Sequence, residues 1–197
     1  MVEWVLGIQG GKMSASTHLK QFRLMSQYNS LMNDGIYQVV ANLSVEEQER
    51  DLGVFFCSLH GTLNHILLAD RIWMGRFATC TIQKFGALAN AKLIFEFESL
   101  KQILYTDFEE LRRERIETDK SIEQWLQEIE SDILSVAIDY TNSTGKTRSH
   151  QLWFALTHFF NHQTHHRGQV TAILNQLGRD YGVTDFPIMY DLAQGVV

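Results

Sequence analysis

Residues 150–177 read HQLWFALTHFFNHQTHHRGQVTAILNQL, and the period of this stretch decides the fold. At about 100° per residue, Leu152, Leu156, Phe159, Val170, Ile173, Leu174 and Leu177 share one apolar stripe, which predicts a long amphipathic helix. Gly178 follows at the position where helices commonly end. The same period recurs upstream. Phe55, Leu59, Ile66, Trp73 and Phe77 predict a second long helix from about Phe55 to Phe77. Ser14 or Ser16 is placed to cap a first helix running to about Leu43, and Ser44 with Glu47 predicts a capping box for a short one. Segment 100–132, containing FEELRRERIETDKSIEQWLQEIESD, mixes both charges around Phe108, Leu111, Trp125 and Ile129 and reads as a solvated amphipathic helix. Residues 80–98 read as a long connection. Ile133–Tyr140 alternates Val136, Ile138 and Tyr140 before TNSTGK, which predicts a short β-hairpin with its turn near Ser143–Gly145. The expected fold is all-α, a four-helix bundle with a short β-hairpin before the last helix.

Composition limits what such a bundle does. With 197 residues and 45% apolar content, the expectation is one domain over residues 14–197. Residues 1–13 are expected to be an N-terminal extension, because Met13 is a second plausible start and the opening lacks signal-peptide features. A net charge of -6 argues against nucleic acid or an anionic membrane as partner. No apolar run is long enough for a membrane span, since the most apolar stretch, Phe55–Phe77, contains two histidines, Asp70, Arg71 and Arg76. Cys57 and Cys80 are expected to be free thiols packed in a helix, which points to the cytoplasm. The tail FPIMYDL, Phe186–Leu192, is apolar enough to pack on something, and a homodimer is expected to bury it.

The histidines are unevenly placed. Of eight, four (His158, His162, His165 and His166) fall within nine residues of the last long helix. Imidazoles at i and i+4 project from one side of a helix and can share a metal ion. His166 lies inside the apolar stripe and His162 near its edge, so they form the inward pair, while His158 and His165 lie farther round. A zinc protease needs Glu after the first histidine, where Gln163 stands. A di-iron bundle needs Glu three places before a histidine, and no histidine here has one. A third ligand must come from another helix, with His60 and His65 as candidates. Asp70 sits in an apolar stripe and needs a partner such as Arg71, Arg76, Arg167 or a ligand histidine.

HGTLNHILLADRIWMGRF (60–77), FNHQTHHRGQVTAILNQLG (160–178) and QYNSLMND (27–34) together resemble the signature segments of the DinB family over roughly residues 18–180. The first helix departs from that pattern by lacking a tryptophan, with Leu31 and Met32 in that region. The resemblance implies a bundle that holds a divalent metal ion, zinc or nickel, on His65, His162 and His166, and often forms homodimers. It also implies kinship with thiol S-transferases that use a low-molecular-weight thiol such as bacillithiol or mycothiol. Asp70 and Gln169 are candidate supporting groups behind the ligands, and Gly168 a candidate site of close helix approach. The function expected is a metal-dependent thiol S-transferase or hydrolase acting on a small-molecule substrate. The alternative is a metal-binding stress-response protein without catalysis. Proton competition for three imidazoles is expected to release the metal from around pH 6 or below.

Overall fold

In the computed structural model, which describes residues 15–80, 84–93, 96–193 and 195, the chain is mostly helical. Its elements are α1 (Ala15–Val40), α2 (Val45–Glu49), α3 (Leu59–Cys80), α4 (Phe108–Glu128), β1 (Ala137–Thr141), β2 (Thr147–Gln151), α5 (Leu152–Gln176) and α6 (Phe186–Ala193). The extension at 1–13 and the cap at Ser14 lie outside the described residues.

Local chemistry sets the boundaries. The capping box forms as expected: Ser44 Oγ accepts from the Glu47 N–H at 3.2 Å, and Glu47 Oε2 accepts from the Ser44 N–H at 2.9 Å. α3 begins four residues later than expected. Cys57 adopts φ +67°, and Ser58 Oγ accepts from the Gly61 N–H at 3.0 Å, so the chain turns before the helix opens. Cys57 is therefore exposed in that turn, not packed in a helix, and the Cys80 side chain lies outside the described residues. α4 opens only at Phe108, where the Asp107 side chain accepts from the Glu110 N–H at 2.8 Å.

The connection after α3 is less of a loop than its composition suggests. Two 3-10 turns, Gly86–Leu88 and Ala91–Leu93, tuck Phe85, Leu88 and Leu93 into the core. Gly75 permits this, because a Cβ there would stand 2.1 Å from the Leu93 carbonyl oxygen. The hairpin also appears, with β1 starting at Ala137 after a 3-10 turn over Ser131–Ser135, and Ile138 opposite His150. His150 therefore belongs to β2 and does not open α5. Gly178 ends α5 with φ +66°. The hairpin precedes the last long helix, but α6 follows it and packs on α1, where Tyr28 Oη donates to the Thr184 carbonyl at 2.7 Å.

α1 packs against α4 and α5, and α3 packs against the same two helices. Two apolar clusters form, one around Phe22, Phe77, Trp125 and Phe159, the other around Val40, Leu67, Leu111 and Leu174. On every long helix the residues of the two clusters are separated by buried polar residues: Asn29 and Asn33, Asp70, Arg115 and Asp119, Gln163 and Arg167. These make a polar layer across the core. Arg115 Nη1 donates to Asp70 at 2.5 Å and Nη2 to Asp119 at 2.8 Å. Asn33 Nδ2 reaches Asp119 at 3.0 Å, and Arg167 Nη1 donates to Asn29 Oδ1 at 2.6 Å. Arg115 answers both aspartates, and Arg167 adds a second positive charge to the layer through Asn29, as burial of the carboxylates requires. The expected partners of Asp70 are thus corrected: Arg115 of α4 holds it. The charged face of α4 is also less solvated than its alternating signs imply, since Arg115 and Asp119 point inward.

Candidate metal centre

α5 presents His162 and His166 one turn apart, and α3 presents His65 opposite them. His162 Nε2 lies 3.3 Å from His65 Nε2 and 3.1 Å from His166 Nε2. One nitrogen from each ring lies within 4.8 Å of the others, so the cluster could hold a metal ion. Of His60 and His65, it is His65 that joins the pair, while His60 Nε2 bonds the Tyr105 carbonyl at 2.9 Å and pins a loop. His165 is exposed, His158 stands against the Trp73 ring at 5.1 Å, His18 stacks on Trp153, and His150 meets Tyr140 Oη at 3.1 Å.

Hydrogen bonds behind the rings fix which nitrogen faces the centre. His65 Nδ1 lies 2.8 Å from the Leu100 carbonyl, which only accepts, so that nitrogen carries the proton and Nε2 keeps its lone pair. His166 Nδ1 likewise meets Gln169 Oε1 at 2.7 Å. His162 Nε2–H could donate to one of these lone pairs but not to both. A cation at the centre answers all three, which is how metal-binding histidines are commonly oriented. His162 Nδ1 is buried without a hydrogen-bond partner among the described residues.

The surroundings keep the imidazoles neutral. Burial pushes His65 down to about 4, against the opposing Leu100 hydrogen bond, and pushes His162 down to about 3 with further repulsion from His166. Burial also lowers His166. Phe56 stacks on His65 with ring centres 3.8 Å apart and meets His166 edge-on at 5.5 Å. Gly61 makes room for the Phe56 turn, since a Cβ there would stand 2.2 Å from the Phe56 carbonyl oxygen.

Several of these supports leave little trace in the sequence. Asn64 Oδ1 accepts from the Leu104 and Tyr105 N–H groups, and its Nδ2 donates to the Tyr105 carbonyl. That clamp, with His60, holds the loop that brings the Leu100 carbonyl to His65. A polar Asn within LNHILL was the available signal. The Leu100 contact uses backbone, so its side chain announces nothing. Phe56 was hidden by the expectation of a helix through that segment.

Asp70 makes its ion pair with Arg115 and none with a histidine of the cluster. Burial raises its carboxyl to about 6 despite that arginine, and Gln163 approaches it without a well-formed hydrogen bond. Gln169 stands directly behind His166. A Cβ at Gly168 would meet nothing within 4 Å, so close helix approach does not explain that glycine. A cavity of about 290 Å³ borders His65 and His162, with Trp73, Phe97, Leu100 and Tyr140 among its walls. Among the described residues no helix is long and apolar enough to cross a membrane.

The sequence pattern that describes the DinB family matches residues 13–195. Protein DinB of Bacillus subtilis (strain 168) is 28% identical over 160 residues, covering 81% of this chain and 88% of that protein. No solved structure matches the chain.

Proposed function

The chain belongs to the DinB family, and from that premise we propose that it binds a divalent metal ion, zinc or nickel, and is a metal-dependent thiol S-transferase or hydrolase acting on a small molecule. The observation that carries this reading is the convergence of the His65, His162 and His166 rings on their Nε2 atoms, with His65 and His166 each held at Nδ1 by an oxygen behind the ring. The pairing of α1 and α3 with both α4 and α5 supports a four-helix bundle as the frame. A divalent ion on three neutral imidazoles keeps open positions and makes a thiol or water beside it more acidic.

The chain's own residues do the rest. The Leu100 carbonyl and Gln169 orient His65 and His166 and hold their Nδ1 protons. Phe56 covers the side of the cluster against His65 and excludes water there. The cavity bordering His65 and His162 admits a small substrate, with Trp73 and Tyr140 as apolar walls. Asp70 is tied to Arg115, which leaves it a positioning role in the core and makes the metal the source of acidity.

The test loads the protein with cobalt and adds small thiols. A sulfur-to-metal charge-transfer band is expected, together with thiol-dependent consumption of an electrophile that a chelator stops. Stoichiometric metal with no response to any thiol would overturn the transferase reading and leave a metal-binding protein without that chemistry.

A further inference from the structure

The chain has 23 acidic side chains against 17 basic ones, yet the described residues lining the cavity beside the histidine cluster include two arginines and no carboxylate. Arg76 of α3 is held in place there. Its guanidinium lies 4.6 Å from the Trp73 ring centre and 4.9 Å from that of Tyr140, and Nη2 donates to the Thr141 carbonyl at 3.0 Å. Arg148 stands directly across the hairpin from Tyr140, so both side chains leave the same face of the sheet toward the cavity. Its guanidinium is exposed and makes a 3.5 Å contact with the neighbouring Thr147 carbonyl.

Positive charge on an aromatic wall that carries no carboxylate is a recognition device for an oxyanion, because guanidinium matches carboxylate and phosphate oxygens in geometry and charge. We propose that this cavity selects small molecules bearing a carboxylate or phosphate group, bound by Arg148 and Arg76, whose other end reaches His65 and His162. The orientation of the ligand rests on the metal-centre reading. The oxyanion preference does not.

The experiment titrates metal-free and zinc-loaded protein by calorimetry with three thiols of matched length: 3-mercaptopropionate, 2-mercaptoethylphosphonate and neutral 2-mercaptoethanol. At least one anionic thiol is expected to bind about tenfold or more tightly than 2-mercaptoethanol, the scale of a lost charge-assisted hydrogen bond. The ratio of propionate to phosphonate affinity tells a carboxylate ligand from a phosphate ligand. Arg148→Gln is expected to erase the preference while leaving zinc content and 2-mercaptoethanol affinity unchanged, and Arg76→Gln to weaken it. Equal affinity for the three thiols, or a preference that survives in both variants, overturns the proposal. A protein that takes up no zinc defeats the metal reading instead, while the metal-free titration still decides the oxyanion preference.

Discussion

At the scale of single residues, neighbouring histidines on α5 differ by what stands behind them. His166 is buried, with Gln169 fixing its Nδ1 proton, whereas His165 is exposed. His166→Ala is expected to abolish stoichiometric metal, measured by elemental analysis of tag-free protein, and His165→Ala to leave it intact. The reverse pattern would put the site on the other side of the helix. The pH response follows from burial. His65 and His162 titrate at about 4 and about 3 when folded, against 6.5 for a free imidazole. Both therefore stay neutral and able to ligate below pH 6, and metal release is expected to be steep only between about pH 5 and 3. At these two histidines the unfolded chain binds more protons than the folded one from about pH 6.5 down to about 4. They therefore contribute a loss of stability as pH falls through that window, opposed by Asp70, whose raised carboxyl takes up its proton earlier in the folded chain. Denaturant midpoints of the metal-free protein and of His65→Ala at stepped pH values isolate the histidine part, and identical pH profiles in the two contradict it. Helical spacing made the pair His162 and His166 legible, because i and i+4 share a face. It left His60 and His65 open, because what separates them is a loop carbonyl each one meets.

Among the elements, the long helices are legible from period alone, and their ends are not. α3 opens at Leu59 because of one left-handed residue, Cys57, and one serine cap, features that apolar periodicity does not report. The polar layer was hidden for a different reason. Charges on α4 alternate in sign along its whole length, so Arg115 and Asp119 look like the solvated residues beside them, and only the packing of α1, α3 and α5 turns them inward. That layer is what the YNSLMN motif of α1 and Arg167 of α5 have in common, since Asn29 bonds Arg167 and Asn33 bonds Asp119. Arg115→Leu leaves the Asp70 and Asp119 carboxylates buried without their shared cation. A loss of about 3–5 kcal/mol in chemical denaturation is expected, the cost of breaking a buried pair from one side. A loss under about 1 kcal/mol, the range of exposed pairs, would mean the layer is wetter than its burial indicates.

For the whole molecule, the apolar clusters and the polar layer hold α3 and α5 side by side, and the metal-centre reading depends on that arrangement. α6 leaves Phe186, Ile188 and Tyr190 between 37% and 43% exposed even though it packs on α1. The homodimer expected from the sequence would bury those side chains, and light scattering at micromolar concentration should then give about twice the single-chain mass of 22.7 kDa. A mass near one chain contradicts the pairing without touching the metal site. On the metal-centre reading, one divalent ion sits among His65, His162 and His166. Anomalous diffraction from a zinc-loaded crystal tests it most directly. The expected result is a single strong peak about 2.0–2.1 Å from all three Nε2 atoms. A peak ligated by carboxylates, or at the exposed His158 and His165 with none among the three clustered rings, would contradict it.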